Sequence, residues 1–172
     1  HAVRLRAGSD DTALATLQSA LSTKSSDLHP AGRANVPPQE RCLQIAAAWR
    51  IQDQHLYRMR VLANIQLLAE LQRQRDPDHQ LLRPIAIRET WANALNKLPG
   101  RLDRNLNEQF LATGMGASAV ATYIARDGFN ERTAPTNNIF GQGLYFCDDA
   151  GKCDQYATAD AGNMYLESTL PN

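Results

Sequence analysis

Asp127-Gly128-Phe129-Asn130-Glu131-Arg132, then Phe140-Gly141-Gln142-Gly143-Leu144-Tyr145-Phe146, then Gly151-Lys152-Cys153-Asp154-Gln155-Tyr156-Ala157 form one ordered run in the second half of the chain. Residues 120–126 carry a helical pattern just before it. Gly128 can end that helix because glycine takes positive φ at no steric cost. Residues 129–143 read as a loop, since Pro135, Asn137, Asn138, Gly141 and Gly143 are turn formers. With little apolar surface to bury, residues 130–142 are expected to be mobile or poorly packed. Residues 144–147 predict a short strand. Asp148 or Asp149 can cap a helix over residues 151–159. Residues 164–170 predict a final strand.

Working upstream, residues 110–113 are short and apolar before Gly114 and Gly116. Thr90 can cap a helix over residues 91–98, which Pro99-Gly100 ends. Residues 81–88 are apolar but broken by Pro84. A long helix is predicted over residues 56–73, with Asp53 as cap and Asp76-Pro77-Asp78 as stop. There Tyr57, Val61, Ile65, Leu68 and Leu71 recur at three- and four-residue spacing. Residues 43–51 fit a strand or a helix, and the strand is favoured. Residues 22–39 hold Pro30, Gly32, Pro37 and Pro38 and read as a linker. Leu14, Leu17 and Leu21 mark a first helix, with Ser9, Asp10 and Asp11 as candidate caps. Helices and strands that mix without a strict β-α-β rhythm predict an α+β fold. The division expected is an N-terminal helical or irregular segment and linker over 1–41, then one domain over 42–172.

The chain has 172 residues, enough to bury a real core, and a formal net charge of zero. It has no basic field for nucleic acid, and Arg73, Arg75 and Arg83 read as a solvated helix end. No apolar run approaches the length of a membrane span. Cys42, Cys147 and Cys153 are odd in number and form no C-x-x-C pair, which argues against a disulfide framework or a zinc site. His1, His29, His55 and His79 have no metal-ligand spacing, so no metal is expected. A reducing, intracellular compartment fits, cytoplasmic or nuclear. A chain that opens at His1, without a methionine or signal-like stretch, is expected to be a trimmed segment of something longer.

The three quoted motifs, in order and spacing, resemble the catalytic domain of the poly(ADP-ribose) polymerase family, within the ADP-ribosyltransferases. Asn107-Glu108-Gln109-Phe110-Leu111-Ala112-Thr113-Gly114-Met115 is similar to the family's segment ending in His-Gly-Thr. Trp49-Arg50-Ile51-Gln52-Asp53, with Leu56 and Tyr57, is similar to its Arg-Ile-Gln-Asn segment. The resemblance spans residues 45–159. It implies a split, mostly antiparallel sheet with flanking helices, and transfer of ADP-ribose from NAD to a protein or nucleic-acid acceptor without a metal. Gly114 would then grip the nicotinamide carboxamide through its backbone. Tyr145, at the second position of the family's His-Tyr-Glu triad, would line the pocket. Tyr156 would stack on the nicotinamide ring, Lys152 would lie near it, and Cys153 would replace a serine that bonds the carboxamide.

Three departures bear on activity. The family histidine falls on Thr113, whose side chain is shorter than an imidazole. The next hydroxyl residue falls on Met115, which has no donor. Each lost hydrogen bond costs about 0.5–1.5 kcal/mol, so together NAD binding weakens by roughly tenfold or more. The family glutamate follows the segment that resembles residues 164–170, and the sequence given ends at Asn172 before that position. The expected function is a transferase that is impaired or mono-ADP-ribosylating. The alternative is a non-catalytic module that keeps the fold for structure or interaction with a protein partner, since fold does not imply function. Taken singly, Tyr145 and Tyr156 also suit plain packing, Gly141 and Gly143 plain turns, and Lys152 a solvated surface.

Overall fold

The computed structural model describes residues 2–22, 42–74, 85–100, 102–115 and 118–157. The elements, in order, are β1 (Ala2–Arg4), α1 (Asp11–Ala20), β2 (Trp49–Ile51), α2 (Gln54–Arg73), α3 (Glu89–Leu95), α4 (Ser118–Asp127) and α5 (Ala150–Asp154). Short 3-10 turns lie at Arg104–Leu106 and Glu131–Thr133. Helices combined with a small antiparallel sheet make the fold α+β.

β1 and β2 pair antiparallel, with Ala2 opposite Ile51 and Arg4 opposite Trp49. The Arg4 guanidinium lies 5.4 Å from the Trp49 ring centroid, a cation–π contact that fixes the edge of the ribbon. The chain's first residues are therefore built into the same sheet as residues 49–51. The strand expected over 43–51 is shorter than its sequence suggests. Residues 42–45 find a side chain instead of a ladder: Gln18 of α1 donates to the Leu43 carbonyl at 2.8 Å and accepts from the Ile45 N–H at 3.0 Å. An apolar run becomes a strand only where a neighbouring backbone offers bonds along its length.

The core sits where α1 meets α3. Ala20, Trp91, Leu95 and Ala150 are buried together, with Leu17, Leu21, Leu43, Phe110 and Ala112 packed on them. Trp91 places its ring in this core and donates its indole N–H to the Phe110 carbonyl at 2.8 Å. That bond ties α3 to the segment leading to Thr113 and Gly114. Helix α3 begins at Glu89 without a side-chain cap, so Thr90 is not the capping residue. Its start is held from a distance, by Arg88 bonding to Asp148 and Asp149.

Helix α2 matches its expected bounds closely. Asp53 is its N-cap, accepting from the Leu56 N–H at 2.9 Å. Its apolar spacing is a poor guide to burial, however. Only Leu71 is buried, while Tyr57 is 63% exposed and Ile65 57%. The helix is held by polar contacts instead: Arg60 and Asn64, one turn apart, both bond Glu108. Helix α4 ends as expected, with Gly128 at φ +81 and its N–H on the Ile124 carbonyl.

Of the strand expected over 144–147, one antiparallel bridge forms, Cys147 to Ala112. The helix expected over 151–159 is a short one, Ala150–Asp154, followed by a turn through Tyr156. The strand expected over 164–170 and most of the linker over 22–39 lie outside the described residues, as do Arg75 and Arg83.

Candidate functional site

The Ala112–Cys147 bridge is the structural centre of the candidate site. Each residue's N–H donates to the other's carbonyl at 2.8 Å. The bridge brings the segment that leads into Thr113 and Gly114 against the one that follows Tyr145 and Phe146. Segments more than thirty residues apart, both singled out from sequence, are thus joined.

Gly114 is seated on helix α5. A Cβ at this position would lie 2.1 Å from the Cys153 carbonyl oxygen, 3.0 Å from its carbon and 3.3 Å from the Ala157 nitrogen. Only a hydrogen fits, so glycine is required by a backbone contact within the protein. Met115, next along, is half-buried. The same Cys153 carbonyl accepts the Tyr156 N–H at 3.0 Å. Gly114, Cys153 and the turn carrying Tyr156 therefore form one packed unit. The Tyr156 ring remains 61% exposed, with the Lys152 ammonium 5.3 Å from its centroid.

Helix α5 starts here because Asp149 caps it, accepting from the Lys152 N–H at 3.1 Å. Asp149 is buried and ion-paired with Arg88, so the site is coupled to the start of α3. Of the two candidate caps, Asp148 bonds the Arg88 N–H instead.

Tyr145 has internal duties. Its hydroxyl donates to the Gly141 carbonyl at 2.6 Å and accepts from the Phe140 N–H at 3.2 Å. Its ring stacks on Phe140 with centroids 6.2 Å apart. Phe146 meets Phe129 edge-on at 5.1 Å. The loop over 129–143 is thus gripped at both ends by the segment that follows it. Ile139 and Phe140 at its tip are 86% and 87% exposed.

Thr113 directs its hydroxyl at the neighbouring Gly114 carbonyl, 3.5 Å away, at the limit of a hydrogen bond. Burial, and then the neighbouring Cys147 thiol, push the Cys153 thiol up to about 12. Cys153 therefore stays protonated at neutral pH, a weak donor and a poor nucleophile.

A scan against models of protein families finds no match for this chain, and no curated protein matches it.

Glu108 is the residue whose importance the sequence reading missed. It accepts from Arg60, from Asn64 at 3.0 Å and from the Asp103 N–H at 2.6 Å. Arg60 above all, then Asn64 and the Asp103 N–H, hold its carboxyl down to about 2 against the opposing effect of burial. The available signal was Arg60 and Asn64 at i, i+4 on one helix face, where a shared acceptor can sit. Two cavities, of about 780 and 450 Å³, open beside α1 and α3; they are lined in part by Asp149 and Ala150 and by Leu111 and Ala112, but not by Gly114 or Tyr156. Among the described residues no three His, Cys, Asp or Glu side chains are placed to hold a metal, and no helix is long and apolar enough to cross a membrane.

Proposed function

We propose that this chain is an ADP-ribosyltransferase domain of the poly(ADP-ribose) polymerase type. In this reading it is impaired in NAD binding and mono-ADP-ribosylating at most, with a split, mostly antiparallel sheet. The observation that carries the reading is the meeting of Gly114, Cys153 and the Tyr156 turn beside the Ala112–Cys147 bridge. Three separated motifs converge on one place, as a nicotinamide site built from them requires.

In that site the Gly114 backbone binds the carboxamide of NAD, and the exposed Tyr156 ring offers a stacking face. Lys152 lies over the same ring and brings positive charge to the pocket mouth. Tyr145 acts as a positioning residue, since its hydroxyl is engaged by the loop that would close over the dinucleotide. Thr113 is the weak point: its hydroxyl points at the adjacent carbonyl, whereas an imidazole there would reach a ribose hydroxyl. Transfer breaks the nicotinamide–ribose bond through an oxocarbenium-like state, so binding and orientation are the contributions these residues make.

The test is calorimetric NAD affinity of the chain and of Thr113→His, with a gel assay for labelled ADP-ribose. Weak binding that tightens about tenfold in Thr113→His, without polymer, is expected. Tight binding by the unmodified chain, or polymer formation, overturns the reading. A second reading, an interaction module without turnover, is favoured by the exposed apolar residues Tyr57, Met59, Leu62 and Ile65 on α2. Absence of NAD binding in both proteins would support it.

A further inference from the structure

Cys147 and Cys153 flank the first turn of α5. Cys147 lies two residues before the Asp149 cap and Cys153 four residues after it. Helical side chains lean back toward the N-terminus, which brings the Cys153 sulfur over the cap and toward Cys147. Both residues meet the same acceptor: the Cys147 thiol reaches the Asp149 carbonyl at 3.4 Å and the Cys153 N–H donates to it at 3.1 Å, and the two side chains interact. Their backbones are fixed independently. Cys147 is held by its bridge to Ala112, and Cys153 by its N–H on the Asp149 carbonyl and by Gly114 pressed on its own carbonyl. Both are half-buried and reduced, while Cys42 is exposed and remote in sequence.

We propose that Cys147 and Cys153 form a reversible two-thiol oxidation site, which a hydroperoxide closes to a disulfide between the bridge segment and α5. Cys153 holds its proton, so reaction begins at Cys147. Its thiolate attacks one peroxide oxygen, the O–O bond breaks, and Cys147 sulfenic acid and hydroxide form. Hydroxide takes up the proton released from Cys147 and leaves as water. The sulfenic oxygen then takes the Cys153 proton, which makes the Cys153 sulfur nucleophilic as it attacks the Cys147 sulfur; the S–S bond forms, the S–O bond breaks, and that oxygen leaves as a second water. The two sulfurs give up two electrons and the peroxide accepts them. A dithiol reductant returns two electrons and two protons to reopen the pair. The closed form clamps the segment bearing Tyr145 to the helix bearing Lys152.

The experiment treats the intact chain with limiting hydrogen peroxide under native conditions, then alkylates and digests it with trypsin without reductant. Cleavage after Lys152 separates the two cysteines, so a disulfide joins the peptide spanning 133–152 to the one that begins at Cys153. The expected result is that linked pair, lost on reduction, on a monomer in which Cys42 is still alkylated. In Cys153→Ser the expected product is Cys147 sulfenic acid trapped by dimedone. Cys147 and Cys153 both alkylated while Cys42 is oxidised would overturn the proposal. So would separate sulfinic or sulfonic acids on the two residues with no linked peptide.

Discussion

Gly114→Ala places a methyl group 2.1 Å from the Cys153 carbonyl oxygen. The oxygen belongs to helix backbone, so no side-chain rotation relieves the clash. Either α5 or the Ala112–Gly114 segment must withdraw by about 1 Å, and overpacking of that kind costs about 1–3 kcal/mol. The withdrawal also pulls the carbonyl from the Tyr156 N–H, now 3.0 Å away, which adds about 1 kcal/mol. A total of about 2–4 kcal/mol lowers the melting temperature by roughly 4–16 °C for a chain of this size. Gly143→Ala is the control, because a Cβ there meets nothing within 4 Å. Thermal melts followed by circular dichroism compare the two. If Gly114→Ala melts within about 2 °C of Gly143→Ala, allowing for the slope of melting temperature with stability, Gly114 is not seated on α5, and the site built on that contact fails with it.

Glu108 has a folded pKa depressed to about 2 from an ordinary 4.5, chiefly by Arg60. Its stabilising contribution is therefore complete above pH 4.5 and is lost as pH falls toward 2. Urea unfolding across that window is expected to show a shallower acid loss in Glu108→Gln than in the parent, and equal slopes would refute the assignment. Trp91→Ala empties a core position and leaves the Phe110 carbonyl without its indole donor, so a loss of about 3–5 kcal/mol is expected by chemical denaturation. A loss below about 1 kcal/mol would place the core elsewhere. Tyr145→Phe removes the hydroxyl that holds Gly141 and Phe140. Hydrogen exchange at the Phe140 amide is expected to accelerate severalfold while the Cys147 amide, bonded to Ala112, is unchanged. Unchanged Phe140 exchange would detach Tyr145 from the loop.

The features legible in the sequence are those satisfied within one turn of chain. Asp53 caps α2, Gly128 ends α4, and one of the two candidate aspartates, Asp149, caps α5, because each bond closes over three or four residues. Mixed helix and strand followed from the same local patterns. Features that need a remote partner could not be read this way. Residues 43–51 and 144–147 have strand-like sequences, but among them only Trp49–Ile51 form a strand, paired with β1, and Cys147 makes an isolated bridge to Ala112. The apolar spacing of α2 predicted the helix but not what holds it, which is the bonding of Arg60 and Asn64 to Glu108. Among the candidate site residues, the motif spacing marked Gly114, Tyr145, Lys152, Cys153 and Tyr156 as members of one set. That Gly114 rests on the Cys153 carbonyl, that Tyr145 turns its hydroxyl inward to Gly141, and that Cys147 stands beside Cys153 were decided only by folding. A cap or a turn is specified by the few residues that satisfy its own bonds, whereas packing is specified jointly by residues that meet only once the chain has closed.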